Sequence, residues 1–352
     1  MVTKSRHPEI KIAGRLIGPQ YCPIVIAEIG INHGGSLPVA MELVRSAKRA
    51  GAELVKHQTH IIDDEMTASA KSVIPGNAAT SIYEIMAQCA LSATEEQALK
   101  FYAESLGLIF ISTPFSRAAA DRLADLDVPA FKIGSGECNN FPLLEHIASF
   151  GKPVIMSTGM NDLETISEAV NIIESAKVPL ALLHTTNIYP TPPHLVRLGA
   201  LEQLRDSFPR LVFGLSDHTQ NNLASFSALA LGASIIERHY TDTMQREGPD
   251  IICSMDEREC KTLISASDEI WRMRGGQKAP VSEETPTMAF AFATVCTITS
   301  VKSGELFSEE NIWVKRPGTG GFPARQYRSI LGKAATRDLP AGLHLSATDV
   351  RL

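Results

Sequence analysis

Short apolar runs alternate with helix-spaced segments eight times along the chain, at residues 24–30, 53–59, 108–114, 130–136, 153–159, 180–186, 211–218 and 235–241. Eight strand–helix units are the count that closes a parallel (β/α)8 TIM barrel. Nearly every run ends in glycine or polar residues: EIGINHGG, KHQTH, ISTPF, IGSGECNN, MSTGM, HTTNIYP, LSDHT, ERHYTD. In a parallel barrel these ends share one rim, where such folds carry their chemistry. An open doubly wound sheet is the alternative, and no GxGxxG fingerprint supports it. A long excursion at 61–91, with Pro75-Gly76-Asn77 and helix signals from Ser81, reads as a loop folding over the rim. Asn32-His33-Gly34-Gly35-Ser36 reads as a turn and helix N-cap.

A stretch rich in Gly, Pro, Ser and Glu, residues 275–287, reads as a linker between a barrel domain, 1–274, and a small β-rich domain, 288–352. The tail contains a repeat. VKSGELFSEENI from Val301 and LPAGLHLSATDV from Leu339 align without gaps at an offset of 38, keeping Gly304 with Gly342 and Ser308 with Ser346. Two copies of one β unit related by a pseudo-dyad would produce this.

The 352 residues suit a barrel of about 250 residues plus something small. Net charge is −6, and no Lys/Arg block exists, which argues against a nucleic-acid partner. From Pro286 on, eight Lys/Arg stand against five Asp/Glu, so the tail is +3 and the rest −9. Opposite charges favour docking of tail on barrel, within a subunit or across a dimer. Six cysteines without CxxC spacing suit a reduced protein. With no apolar segment in MVTKSRHPEIKI and no apolar run of 18 residues, the expectation is a cytoplasmic protein away from membranes.

His218 and His239 end consecutive strands, which lie about 4.8 Å apart, so two imidazoles at equal height can grip one cation. Two histidines capping strand ends are the bland alternative. Period-2 parity puts Ser216 with His218 and Glu237 with His239, and turns His57 away from the lumen; His57 and His60 are therefore not taken as ligands. Lys56 and Lys132 lie inside apolar strands, where an ammonium needs an anion or a carboxylate. A core ion pair with Glu28 or Glu137 would serve. So would a bound anion, for which Ser135, Ser157, Ser216, Asn187 and the amides beside Gly134, Gly136 and Gly159 supply donors without bulk. A locally positive mouth is then expected in an acidic molecule. Glu137 is a candidate general acid or base, with the salt bridge as its alternative. Asp250 is a candidate for sugar hydroxyls, or a cap.

The rim sequences IAEIGINHGGS, GAELVKHQTH, IFISTPFS, FKIGSGECNN, STGM, HTTNIYPTP, GLSDHT and ERHYTD resemble those of the bacterial N-acetylneuraminate (sialic acid) synthase family. KRPGTGGF and the repeat-bearing tail resemble that family's antifreeze-like (SAF) domain, of β-clip type, so the resemblance covers residues 9–351. It implies condensation of phosphoenolpyruvate with N-acetylmannosamine to give N-acetylneuraminate and phosphate. The implied cofactor is a divalent metal held by His218 and His239, usually manganese, with magnesium or cobalt as alternatives. Lys56, Lys132, Ser135, Ser157, Asn187 and Ser216 would hold phosphoenolpyruvate. Glu137 matches the acid/base position beside the centre that captures water. Glu28, Gln58, Tyr189 and Asp250 match positions lining the sugar pocket, and Arg316 matches an arginine that the tail inserts into the partner's site in a domain-swapped homodimer. Relatives that make legionaminic or pseudaminic acid share the phosphoenolpyruvate and metal positions; NIYPTP and IPGNAATSIYEIMAQCAL look more like the sialic acid branch. Thr185, where cysteine is common, and Thr319 depart from the pattern.

Two other readings stay open. A barrel metallohydrolase or aldolase acting on a phosphosugar would usually carry HxH on its first strand, where this chain has AEIGINH. A non-catalytic carbohydrate- or surface-binding protein built on the tail would leave two inward lysines without a purpose.

Overall fold

In the computed structural model, residues 7–76 and 79–351 are described; Asn77, the end of the expected Pro-Gly-Asn turn, lies outside them. The strands are β1 (Ile10–Ile12), β2 (Arg15–Ile17), β3 (Ile24–Gly30), β4 (Leu54–Thr59), β5 (Ile109–Pro114), β6 (Phe131–Ile133), β7 (Val154–Ser157), β8 (Leu180–Thr185), β9 (Val212–Asp217), β10 (Ile235–His239), β11 (Thr294–Thr297), β12 (Ile312–Lys315), β13 (Ala334–Ala335) and β14 (Val350–Arg351). Strands β3 to β10 close into an eight-stranded parallel barrel in which β10 pairs back with β3. Strand β3, IVIAEIG, is buried at all seven positions, as a parallel strand covered on both faces must be. Its outward residues Val25, Ala27 and Ile29 join the shell packed under the helices. Inward Ile24 and Ile26 meet Leu54, Ile111, Ala130, Ile155, Leu183 and Ile235 in the lumen. Ile10, Ile12 and Ile17 of the β1–β2 hairpin belong to the same lumenal cluster, so the hairpin closes the barrel at its N-terminal end. The polar inward positions lie above this apolar plug.

Register fixes which inward residues meet. Glu28 pairs with Lys56 and with His239, and Ser216 with Glu237. A register shift between Glu28 and Gly30 bends the top of β3, where a Cβ on Gly30 (φ +39°) would stand 2.5 Å from Glu28 Oε1. The fourth barrel strand is shorter than its apolar run. It stops at Ile133, and Ser135–Glu137 forms a single 3-10 turn, so strand alternation ends before Gly134.

The excursion at 61–91 is built of a short helix, Ile62–Glu65, a 3-10 segment, Ala68–Ser72, and a helix, Ile82–Cys89, opened by a Ser81–Glu84 capping box. Ser36 does stand at the N-cap of helix Leu37–Ala50, but its hydroxyl makes no cap bond.

The described chain divides into two units, Met1–Gly275 and Gly276–Leu352. Within the stretch expected as a linker, a 3-10 turn at Ser282–Glu284 leads into helix Thr285–Ala291, with Pro286 near its start, where a missing N–H costs nothing. The smaller unit carries out its sequence repeat. Val301 and Leu339, the first residues of the two copies, donate N–H bonds to each other's carbonyls at 2.9 and 2.8 Å. Gly304 and Gly342 both have positive φ, 81° and 83°, and donate to Ala335 and Thr297, positions again 38 apart. Val301, Phe307 and Ile312 share the core with Leu339, Leu345 and Val350. The two copies are thus paired about a local two-fold. All six cysteines are free, and among the described residues no helix is long and apolar enough to cross a membrane.

Candidate functional site

The C-terminal rim of the barrel surrounds a cavity of about 310 Å³. Its floor is ionic. Lys56 Nζ lies 2.6 Å from Glu28 Oε2 and 3.9 Å from Glu237 Oε1, and donates to Thr113 Oγ1 at 3.1 Å. Lys132 Nζ lies 3.8 Å from Glu237 Oε1 and donates to Ser157 Oγ (2.7 Å) and to the Ile133 carbonyl (2.8 Å). The expected partner of Lys132, Glu28 or Glu137, is therefore Glu237 instead, because Glu28 is committed by register to Lys56. Both ammoniums are buried, and their environments push them apart. Burial opposes the charge of Lys56, but Glu28 and Glu237 outweigh it and raise its pKa. Burial wins at Lys132, which falls to about 8 despite Glu237. The two lysines in turn overcome burial to hold Glu237 below the usual carboxylate range.

The positive mouth expected from the lysines is corrected by these pairs: two ammoniums against Glu28 and Glu237 leave the floor balanced. An unanswered buried charge would cost several kcal/mol, and here Glu28 and Glu237 answer the two lysines.

One wall is a set of small donors. Ser135 Oγ accepts the Gly159 N–H at 3.0 Å, and a Cβ on Gly159 would stand 1.9 Å from Asn187 Oδ1 and 2.9 Å from Ser135 Oγ. Glycine is required for these side chains to close in. Asn187 donates to Tyr189 Oη at 3.3 Å while its Oδ1 is buried without a partner. Ser216 Oγ bonds Glu237 at 3.4 Å.

Beside this wall stand the imidazoles. Rings of His218 and His239 have centroids 5.4 Å apart, and the Tyr189 ring packs on His218 at 4.2 Å. His218 Nδ1–H donates to the Thr186 carbonyl at 2.9 Å, which leaves its Nε2 lone pair free for a cation. His239 Nδ1 is buried without a hydrogen bond, 3.6 Å from Asp250 Oδ2. Burial is the first cause holding both imidazoles neutral, each near a pKa of about 4. Burial lifts Asp250 to about 6. Among the described residues no group of three or more His, Cys, Asp or Glu is gathered for a metal. A pair of neutral imidazoles fits a divalent cation held at an open site, with its other positions free for water or substrate.

Thirteen of the fifteen positions singled out in the sequence line this one cavity. Glu137 is not among them. It is half-buried on the 3-10 turn at the rim, its Oε2 taking a 2.6 Å bond from Asn140, and burial raises its pKa. Its expected salt bridge to Lys132 is not made. Arg316 lies exposed after β12 in the smaller unit. His57 points outward as parity requires, buried 3.2 Å from Glu96 and stacked on His33.

Sequence reasoning missed the apolar wall: Ile31, Pro75, Ile82, Ile85, Met86 and Phe115 face the cavity. The i, i+3, i+4 spacing of the three helical members was the available signal. It also missed Arg238, fully buried behind the imidazoles, which donates to Asn222 Oδ1 (2.5 Å) and to the carbonyls of Thr219 (2.7 Å) and Cys253 (3.5 Å). It ties the segment after His218 to the one after Asp250.

Comparison with known proteins fits this geometry. Residues 43–279 match the model of the NeuB family, and residues 295–351 that of the SAF domain. An N,N'-diacetyllegionaminic acid synthase of Legionella pneumophila is 37% identical over 91% of this chain and 92% of its own length. The human N-acetylneuraminate-9-phosphate synthase is 29% identical over 91% and 90%. A sialic acid synthetase structure from Leptospira borgpetersenii, in complex with citrate, is 27% identical with a TM-score of 0.74, covering 81% of this chain and 97% of that one. Because the family match takes in most of the barrel and the second match residues 295–351 of the smaller unit, the chain belongs to the NeuB family and carries a SAF domain beyond its barrel.

Proposed function

We propose that the protein condenses phosphoenolpyruvate with an acetamido sugar to give a nine-carbon sugar acid and inorganic phosphate. The observation that carries this reading is the convergence in one cavity of two buried lysines, a wall of small donors and two neutral imidazoles. Lys56, Lys132, Ser135, Ser157, Asn187 and Ser216 hold the phosphate and carboxylate of phosphoenolpyruvate. The anion shares these ammoniums with Glu28 and Glu237. A divalent cation on His218 and His239, for which we propose manganese, supplies Lewis-acid polarisation of the sugar aldehyde when bound. Holding both reactants in one cavity removes much of the entropic barrier to a bimolecular step. Gln58, Tyr189 and Asp250 face the sugar. Glu137, whose pKa burial raises, reaches in from the rim to serve water addition, and Arg316 reaches the site of a partner subunit in a homodimer that we place in the cytoplasm.

Which sugar is used turns on the apolar wall. N-acetylmannosamine carries one acetamido group; the aliphatic face of Ile82, Ile85 and Met86 offers further contact to a second N-acetyl methyl. The 37% identity to an enzyme whose product name has two N-acetyl groups supports that second reading. Phosphate release measured with phosphoenolpyruvate plus either N-acetylmannosamine or a diacetamido sugar separates the two. Silence with both would return the assignment to the phosphosugar hydrolases and aldolases.

A further inference from the structure

We infer that His60 is a positioning residue that fixes the amide of Gln58 at the sugar end of the cavity. The inference rests on the proposed placement of the sugar beside Gln58. Strand β4 turns Lys56 and Gln58 inward, and His60 follows just beyond it, 4% exposed, its ring stacked on Phe115 at 4.5 Å with planes 10° apart. Four contacts then join five groups in line from the excursion to the floor. His60 Nδ1 lies 2.8 Å from Glu65 Oε2; His60 Nε2 lies 3.1 Å from Gln58 Oε1; Gln58 Nε2 donates to Glu28 Oε1 at 2.8 Å; Glu28 Oε2 lies 2.6 Å from Lys56 Nζ.

The direction of this line is set by its ends. Glu28 can only accept, so the amide nitrogen of Gln58 must face it and the amide oxygen must face His60, whose Nε2–H donates. Nδ1 faces the Glu65 carboxylate on the other side, and only the imidazolium form carries the second N–H that this contact takes. Gln58 thus spends one N–H on Glu28 and its oxygen on His60, leaving one N–H aimed for a ligand. The Gly30 side offers no alternative hold, only clearance: a Cβ there would come within 3.0 Å of Gln58 Nε2. Without His60 the amide would hang on a single bond to a carboxylate already engaged by Lys56. Glu65 ends the first short helix of the excursion, so the line also joins the start of that segment to the cavity floor.

The test pairs His60→Phe, which keeps the stack on Phe115 and removes both hydrogen bonds, with His60→Gln, which restores a donor. Crystal structures read the amide whatever the substrate proves to be. Gln58 displaced from Glu28 in His60→Phe and returned in His60→Gln is the expected result; Gln58 still seated on Glu28 in His60→Phe overturns the inference. In kinetics, the KM for the acetamido sugar should rise about tenfold in His60→Phe, one hydrogen bond's worth. The KM for phosphoenolpyruvate and the thermal midpoint should hold, and His60→Gln should recover part of the loss. Equal rises in both KM values with a lowered midpoint would make His60 merely structural. A displaced amide in a protein whose wild type condenses no acetamido sugar would defeat the proposed function and leave this positioning role standing.

Discussion

Gly159→Ala puts one methyl group where the anion wall is tightest. The backbone at Gly159 is not in the left-handed region, so alanine is tolerated conformationally and the effect is one of space. The new Cβ would stand 1.9 Å from Asn187 Oδ1, and contacts under 3.0 Å essentially never occur, so Asn187 must retreat by at least about 1.1 Å. That exceeds the tolerance of a hydrogen bond to a fixed anion. Losing one hydrogen bond to a charged group costs about 1.5–3 kcal/mol, or roughly 10- to 150-fold in kcat/KM for phosphoenolpyruvate. The assay is steady-state phosphate release with phosphoenolpyruvate varied at saturating sugar, on Gly159→Ala, Asn187→Ala and the double variant. If the methyl acts through Asn187, the double variant loses no more than the worse single one. An unchanged KM in Gly159→Ala, or losses that add, would refute the argument that this glycine exists to admit Asn187.

Lys132 titrates near 8 in the folded protein, so KM for phosphoenolpyruvate should be flat from pH 6.5 to 7.5 and climb above pH 8, up to about tenfold per unit, as the ammonium is lost. Over the same rise the fold itself gains stability, because the unfolded lysine still binds the proton that the native one has released. A falling thermal midpoint between pH 8 and 10 would contradict this. Chelation should abolish turnover and manganese restore it, with the thermal midpoint little changed, since two imidazoles make no closed structural site; full turnover after stripping would sink the metal role. For Arg316→Ala, use of the acetamido sugar should weaken far more than use of phosphoenolpyruvate, and equal changes in the two KM values would count against its reach into a partner's site. Glu137→Gln should cut kcat strongly while leaving both KM values near wild type; a loss seen only in thermal stability would leave Glu137 as a rim group.

The sequence by itself determined the barrel, because eight apolar runs with polar C-terminal ends can bury their faces in few other ways, and it determined the duplicated tail, whose 38-residue offset reappears in paired hydrogen bonds. It also determined which way Lys56, Lys132, Ser216, Glu237 and the two histidines point, since alternation along a strand is local geometry. What only the tertiary structure decided is who meets whom. Register between neighbouring strands gave Glu28 to Lys56, closure of the barrel brought Glu237 on β10 to Lys132 on β6, and together they balanced the charge of a mouth that lysines alone made look positive. A single early turn at Ser135 broke the alternation and left Glu137 on the rim. Half of the apolar wall came from a helix in the excursion, and the hold on Gln58 from a histidine set aside together with His57. These are contacts between segments far apart in the chain or past a strand's end, which the alternation along a single strand does not reach.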